Sequence, residues 1–318
     1  MEKSRYLTKD LEIFLTGNST IKNRIVDYIK AHLDKGVKSV ALCFRGDYFC
    51  LYYRCQKLLE VGKDLVGKFD FRHARFSENY KEYERSLTAL GVYGFFEKKY
   101  ERNGYYVSFD LNGKGCVDAE NVWKILDIYK SLIDDYISPD KKKYAFDVPE
   151  SSLKNGGIKI NKSKNKEKDR QQEIYARYFF KTNERLIYDL EYVEHQGKKY
   201  GVQGRFDLLG LQRRENGWTL QLIEVKSTKE ACKQQKSGVA AHIEDYTKYL
   251  KNSALMTTRK AEAVQTVALL ARVLGFEDFL QSIEIVGEEI IFFFTDKAIE
   301  CGQEQTLCIS KGIRVERY

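Results

Sequence analysis

Leu220-Gln221-Leu222-Ile223-Glu224-Val225-Lys226-Ser227 is the stretch on which the reading of this chain turns. Its apolar run bounded by polar residues predicts a β-strand over Thr219 to Ser227. Residues two apart on a strand share a face, so Glu224 and Lys226 project together while Ile223 and Val225 pack on the other side. An isolated buried charge is expensive unless it is paired or holds a metal, so the pair is either a structural ion pair or a site. The acid-x-Lys string carries little by itself: Glu97/Lys99 and Asp140/Lys142 have the same spacing in charged, turn-like surroundings. Only Glu224/Lys226 lies in an apolar strand.

The segment just upstream supplies a second carboxylate. Gly204-Arg205-Phe206-Asp207-Leu208-Leu209-Gly210 is another apolar run holding an aspartate, and Asn216-Gly217 between the two runs is a strong hairpin signal. A hairpin centred on Asn216-Gly217 puts Asp207 opposite roughly residue 226, at the same end as Glu224 and Lys226. Two converging carboxylates repel unless a cation lies between them, and hard oxygen donors without a cysteine or histidine cluster favour Mg²⁺ or Mn²⁺. A lysine ammonium beside them can orient or help deprotonate a metal-bound water and stabilise charge on a phosphate in transfer. The set suits phosphodiester hydrolysis.

Working outward, a helix is expected over Glu167 to Lys181, then strands over Arg185 to Glu194 and Tyr200 to Leu211, then the Thr219 to Ser227 strand. Helices over Glu230 to Leu250 and Arg259 to Leu274 follow, with strands over Ile283 to Phe294 and Gln305 to Val315. Gly-Arg-Phe-Asp, a hairpin and Ile-Glu-Val-Lys-Ser, in this order, resemble the core of the PD-(D/E)xK nuclease superfamily, nearest its RecB-like and lambda-exonuclease-like branch. The resemblance covers about residues 167 to 252 and extends toward 318. It implies a restriction-endonuclease-like mixed sheet flanked by helices, metal binding by Asp207, Glu224 and the Val225 carbonyl, and Lys226 in the catalytic lysine position. The proline of the family name is absent, Phe206 standing before Asp207.

Two flanking features extend the resemblance and one further residue is a candidate by position, each with a plainer alternative. Glu173 matches the helical glutamate that such enzymes bring to the metals; the alternative is a solvated acid paired with Arg177. His242 and Tyr246, one helical turn apart, resemble the family's Gln-x-x-x-Tyr element with histidine replacing glutamine, and are candidate nucleic-acid contacts; a satisfied helix histidine is the alternative. Arg205 is a candidate phosphate contact, against a solvated strand-edge arginine.

Residues 1–145 are read as a separate α+β domain of unknown role. Its expected helices are Ser19 to Leu33, Glu78 to Leu90 and Ala119 to Tyr136. Its expected strands are Ser39 to Phe44, Tyr48 to Cys55, Lys68 to Phe76 and Tyr105 to Leu111, with a turn at Arg45-Gly46-Asp47. Arg72, His73 and Arg75 beside Tyr48, Tyr52 and Tyr53 could form a basic aromatic surface, but strands are ordinarily rich in tyrosine and the core reading is preferred. Both prolines, Pro139 and Pro149, precede a Gly-Gly and a lysine-rich run, so residues 146–166 read as a basic linker or flap and 167–318 as the second domain.

Composition bounds the rest. The chain has 318 residues, 43% of them hydrophobic, ordinary globular material with length for two cores. Its 54 basic and 46 acidic residues leave a formal charge of +8, which favours a polyanionic partner. No apolar run reaches the roughly 18 residues of a membrane span, and the charged start is not that of a signal peptide, so the cytoplasm is the expected compartment. Seven cysteines without a C-x-x-C pair are expected to be reduced thiols, mostly buried. The activity that the resemblance implies is Mg²⁺-dependent nuclease action by a metal-activated water, with DNA favoured over RNA, and analogy with nucleases of that fold suggests a setting such as phage defence or DNA repair. The alternatives are a non-catalytic nucleic-acid-binding module keeping the nuclease fold, and a regulator whose first domain senses an activator or ligand with the nuclease as output. A homo-oligomer is compatible with either.

Overall fold

The computed structural model describes residues 7–70, 80–92, 106–111, 117–137, 162–193, 204–280 and 283–318. The fold is mixed α/β, with one antiparallel sheet, one mixed sheet and flanking helices. Among the described residues no helix is long and apolar enough to cross a membrane.

The first sheet follows α1 (Lys9–Thr16) and α2 (Thr20–His32), the second helix opened by Ser19, whose hydroxyl accepts from the Lys22 amide. Strands β1 (Val40–Phe44), β2 (Tyr48–Tyr53), β3 (Gln56–Gly62), β4 (Val66–Asp70) and β5 (Tyr106–Asp110) form an antiparallel meander in that order. α3 (Tyr80–Ala89) and α4 (Val122–Ile137) complete this half. Strand β3 and helix α1 go beyond the sequence expectation. Tyr52 and Tyr53 are buried, as the core reading held, while Arg72, His73 and Arg75 lie outside the described residues.

The β2–β3 hairpin turns on two residues, since Tyr53 pairs with Gln56, and both turn residues have positive φ: 52° at Arg54 and 48° at Cys55. That is the backbone of a type I′ turn, which ordinarily takes Asn-Gly. A side-chain-bearing residue in that region costs about 1–3 kcal/mol and persists only where its surroundings impose it.

The second sheet is led by α5 (Lys162–Tyr178). This helix starts five residues before the expected Glu167, so the end of the proposed linker is helical. Strands β6 (Arg185–Val193), β7 (Arg205–Arg214) and β8 (Gly217–Lys226) form an antiparallel meander. The hairpin register differs from expectation: Arg214 pairs with Gly217, so Glu215-Asn216 is the turn, and Gly217, at φ 139°, is the residue just past it. The shift is two positions, an even number, so every side chain keeps its face. A Cβ at residue 217 would meet the Glu284 carbonyl oxygen at 2.9 Å, a second reason for glycine there.

The expected helix over Glu230 to Leu250 is broken. It forms α6 (Lys229–Lys233) and α7 (Val239–Leu250), with Gly238 as the N-cap of the second. A Cβ on Gly238 would lie 2.2 Å from the Gln234 carbonyl oxygen, so the chain reverses there on a residue without a side chain. After α8 (Ser253–Leu274), capped by left-handed Gly275, β9 (Ile285–Phe294) adds parallel to β8. The strand expected over Gln305 to Val315 is instead α9 (Gly302–Ser310) followed by β10 (Arg314–Arg317), which pairs parallel with β9. Gln305 and Cys308 are buried three residues apart, the spacing of a helix face that the short apolar run Leu307-Cys308-Ile309 concealed. The sheet order is β10-β9-β8-β7-β6.

A single hydrophobic cluster runs through both sheets. Across their meeting, the Arg45 guanidinium pairs with Asp189 at 2.5 Å with both side chains about 5% exposed, and also donates to the Leu190 carbonyl. Cys43, Cys50, Cys55, Cys232, Cys301 and Cys308 are buried free thiols, as expected.

Candidate active site

Three neighbouring strands bring their carboxylates to one end of the second sheet. The β7–β8 register, continued one step beyond Leu208 and Ile223, sets Asp207 beside Glu224. The β6–β7 register, between Leu190/Leu208 and Tyr192/Phe206, sets Glu191 beside Asp207. Asp207 is half-buried, and its Oδ2 accepts from the Val225 amide at 2.8 Å. Glu224 and Lys226 are each about 4% exposed, with Lys226 Nζ 2.6 Å from Glu224 Oε1 and donating to the Ser237 carbonyl at 3.0 Å.

Helix α7 closes over Glu224. Tyr246 donates its hydroxyl to Glu224 Oε2 and lies 2.7 Å from the Arg205 carbonyl oxygen. His242 Nε2 stands 3.2 Å from Glu224 Oε1. Burial holds the imidazole below its ordinary pKa against the pull of Glu224, so near pH 7 this contact is a hydrogen bond of a neutral ring. The structure therefore turns both expected nucleic-acid contacts inward onto Glu224. Arg205 remains at the rim, its side chain 63% exposed and 3.0 Å from Glu191.

Helix α5 contributes a carboxylate, but it is Glu167 and not Glu173. Six residues along a helix amount to about 600°, leaving the two side chains roughly 120° apart around the axis. Glu173 points to Arg170, 2.5 Å away, whose guanidinium also grips Asp296 at 2.9 Å just past β9. Glu167 instead accepts from the Ser227 amide at the end of β8 and faces Lys226, Glu224 and Glu191. The signal for it was present: Gln171, Ile174 and Tyr175 are buried positions along one stripe of α5, and Glu167 extends that stripe back by one turn.

The electrostatics are those of a pocket with surplus negative charge. Burial first, then the repulsion of Glu224 and Glu167, pushes the Asp207 carboxyl well above its ordinary range. Burial, together with Glu224, pushes Glu167 up to about 7 against the opposing pull of Lys226. Burial would lower the Lys226 pKa, but Glu224, Asp207 and Glu167 outweigh it and hold the ammonium charged. Burial likewise works against ionised Glu191, and Lys168 and Arg205 overcome it, keeping that carboxyl below its ordinary value.

Among the described residues, no three histidine, cysteine, aspartate or glutamate side chains converge closely enough to hold a metal ion as placed. Both oxygens of Glu224 are taken, by Lys226 and His242 on one and Tyr246 on the other. The donor set nonetheless fits a hard divalent cation: oxygen ligands only, and two carboxyls held toward their protonated forms by mutual repulsion and burial. In the arrangement seen here the Lys226 ammonium is the counter-ion. Comparison with family models, with curated proteins and with solved structures found no match for the chain.

Proposed function

We propose that the chain is a metal-dependent nuclease of the PD-(D/E)xK type, hydrolysing phosphodiester bonds with DNA as the favoured substrate. The observation that carries this reading is the convergence of Glu167, Asp207 and Glu224 around buried Lys226 at the end of a mixed sheet, with the carboxyls of Glu167 and Asp207 raised by burial and like charge. The helix, three-strand meander, helices and parallel strand from α5 to β9 follow the order expected of a restriction-endonuclease-like core.

Asp207, Glu224, Glu167 and the Val225 carbonyl would hold Mg²⁺ or Mn²⁺. When bound, the ion supplies Lewis acidity toward the phosphodiester and lowers the pKa of water. The chain's own contributions follow from the contacts. Lys226, held charged, is unsuited to accept a proton near neutral pH and instead orients the attacking water and stabilises charge growing on the phosphate. Tyr246 and His242 fix the Glu224 carboxylate, and the Val225 amide fixes Asp207. Arg205 at the rim pairs with Glu191 through one amino group, and the exposed remainder of its guanidinium is available to a phosphate.

The test is cleavage of supercoiled plasmid, linear duplex, single-stranded DNA and RNA with Mg²⁺, Mn²⁺ or EDTA, comparing wild type with Asp207→Ala and Lys226→Ala. Metal-dependent cutting lost in both variants supports the reading. Absence of both cutting and calorimetric metal binding in the folded wild type sinks it.

A further inference from the structure

The strained β2–β3 turn of the first sheet grips the helix that carries Glu167. Arg54 places its guanidinium as a fork on Asp169, with Nε 2.8 Å from Oδ1 and Nη2 2.6 Å from Oδ2, and its Nη1 reaches Asp134 of α4 at 3.0 Å. Cys55 uses both backbone groups on the same helix. Its amide donates to Gln172 Oε1 at 2.9 Å, and its carbonyl accepts from Lys168 Nζ at 3.1 Å. Gln172, fully buried, returns its own amide to the Ser39 carbonyl and hydroxyl at 3.3 and 3.0 Å. Lys168 in turn stands 3.4 Å from Glu191.

These bonds land on residues 168, 169 and 172, immediately after Glu167. All of these contacts are made by a turn whose two residues both stand at positive φ, so the unfavourable backbone and the docking onto α5 occur together. An ordinary hairpin has no need of Arg-Cys at these positions; a docking element does. The opposite side of the helix is held from within the second sheet, by Arg170 and Lys166 on Asp296. Glu167 thus sits on a helix gripped from two sides, one grip belonging to each sheet.

We infer that the Arg54-Cys55 turn is a positioning device, through which the first sheet sets where Glu167 stands relative to Asp207 and Glu224. Arg54 and Asp169 are positioning residues, and the inference rests on the metal-dependent reading of the site. The device gives the N-terminal half a role in the metal site without supplying any ligand to it.

The experiment uses the full chain with Arg54→Ala, Arg54→Lys and Asp169→Asn. Arg214→Ala, which removes an ion pair to Glu289 at the far end of β7, is the control for unspecific loss of surface charge. Mg²⁺ affinity by calorimetry, kcat and KM for DNA, and amide hydrogen exchange across α5 are read together, with urea unfolding to verify the fold. Arg54→Ala and Asp169→Asn are expected to weaken Mg²⁺ binding about 10- to 100-fold, the effect usual for groups that hold a ligand from behind. Raising Mg²⁺ should restore their rate while KM for DNA stays within about twofold, Arg54→Lys should be intermediate, and exchange should quicken over residues 166–172. Unchanged Mg²⁺ affinity and unchanged exchange in folded Arg54→Ala overturn the inference. If wild type itself binds no metal and cuts nothing, the nuclease reading fails on its own, and exchange across α5 still judges the clamp: faster exchange in Arg54→Ala upholds it, equal exchange removes it.

Discussion

Replacing Glu167 by glutamine should stabilise the metal-free protein, by an amount that grows with pH. The folded carboxyl is held at about 7 against an ordinary 4.5, so the folded chain binds more protons than the unfolded chain between those values. Wild-type stability therefore falls as pH rises through that window, and the full penalty stands above pH 7. At about 1.4 kcal/mol per unit, the penalty approaches about 3 kcal/mol at pH 8, of which about 1.4 kcal/mol is already present at pH 5.5. Glutamine has no charge to desolvate and can still accept from the Ser227 amide, at a loss of about 1 kcal/mol for the weaker bond. The variant should then be about 2 kcal/mol more stable than wild type at pH 8 and about equal to it at pH 5.5. Urea unfolding in EDTA at both pH values measures this. Saturating Mg²⁺ should reverse the order at pH 8, since an ion at 100 times its Kd adds about 2.7 kcal/mol to the protein that binds it. A variant less stable than wild type at pH 8 in EDTA, or a gain of equal size at both pH values, would refute the charge-surplus account of the pocket.

Lys226→Met should abolish cleavage and cost about 3–5 kcal/mol in urea unfolding, because it strands Glu224 in a buried site without its ammonium. Asp207→Asn should abolish cleavage in a plasmid assay with no loss of thermal stability in EDTA, whereas Glu173→Ala, which breaks only a pair with Arg170, should leave cleavage within about twofold. Tyr246→Phe removes the hydroxyl that bonds both Glu224 and the Arg205 carbonyl; about 1–3 kcal/mol of stability should go with it, together with a weaker calorimetric Mg²⁺ signal.

How much of this could be read before the structure depends on how local each determinant is. Glu224 and Lys226 declared themselves because strand alternation and apolar neighbours are visible within eight residues. The turn was misplaced by one residue, yet the resulting two-residue shift in register kept parity and still brought Asp207 to Glu224. Glu167 was harder: the polar run Lys162 to Lys166 reads as the end of a linker, which leaves Glu167 at the very start of the expected helix, and the stripe that places it becomes apparent only from Gln171 onward. Gln305 to Ile309 read as a strand because a short apolar run has no decisive period. Arg45–Asp189 and Arg54–Asp169 join residues more than a hundred positions apart, and no periodicity along a chain announces such pairs.

The buried Arg45–Asp189 pair has a consequence for how the chain can be divided. A fragment starting near residue 160 would carry Asp189 with no guanidinium to meet it, and the face of β6 that packs against β1 would lie open to water. Such a fragment is expected to aggregate when expressed alone. Its first half, with Arg45 stranded in the same way, should fare no better. Supplying the two halves as separate polypeptides should restore a soluble complex, since the contacts across the seam among the described residues are non-covalent. The boundary that composition suggests near the two prolines is thus a seam in the backbone alone, and the two halves it joins are expected to unfold together.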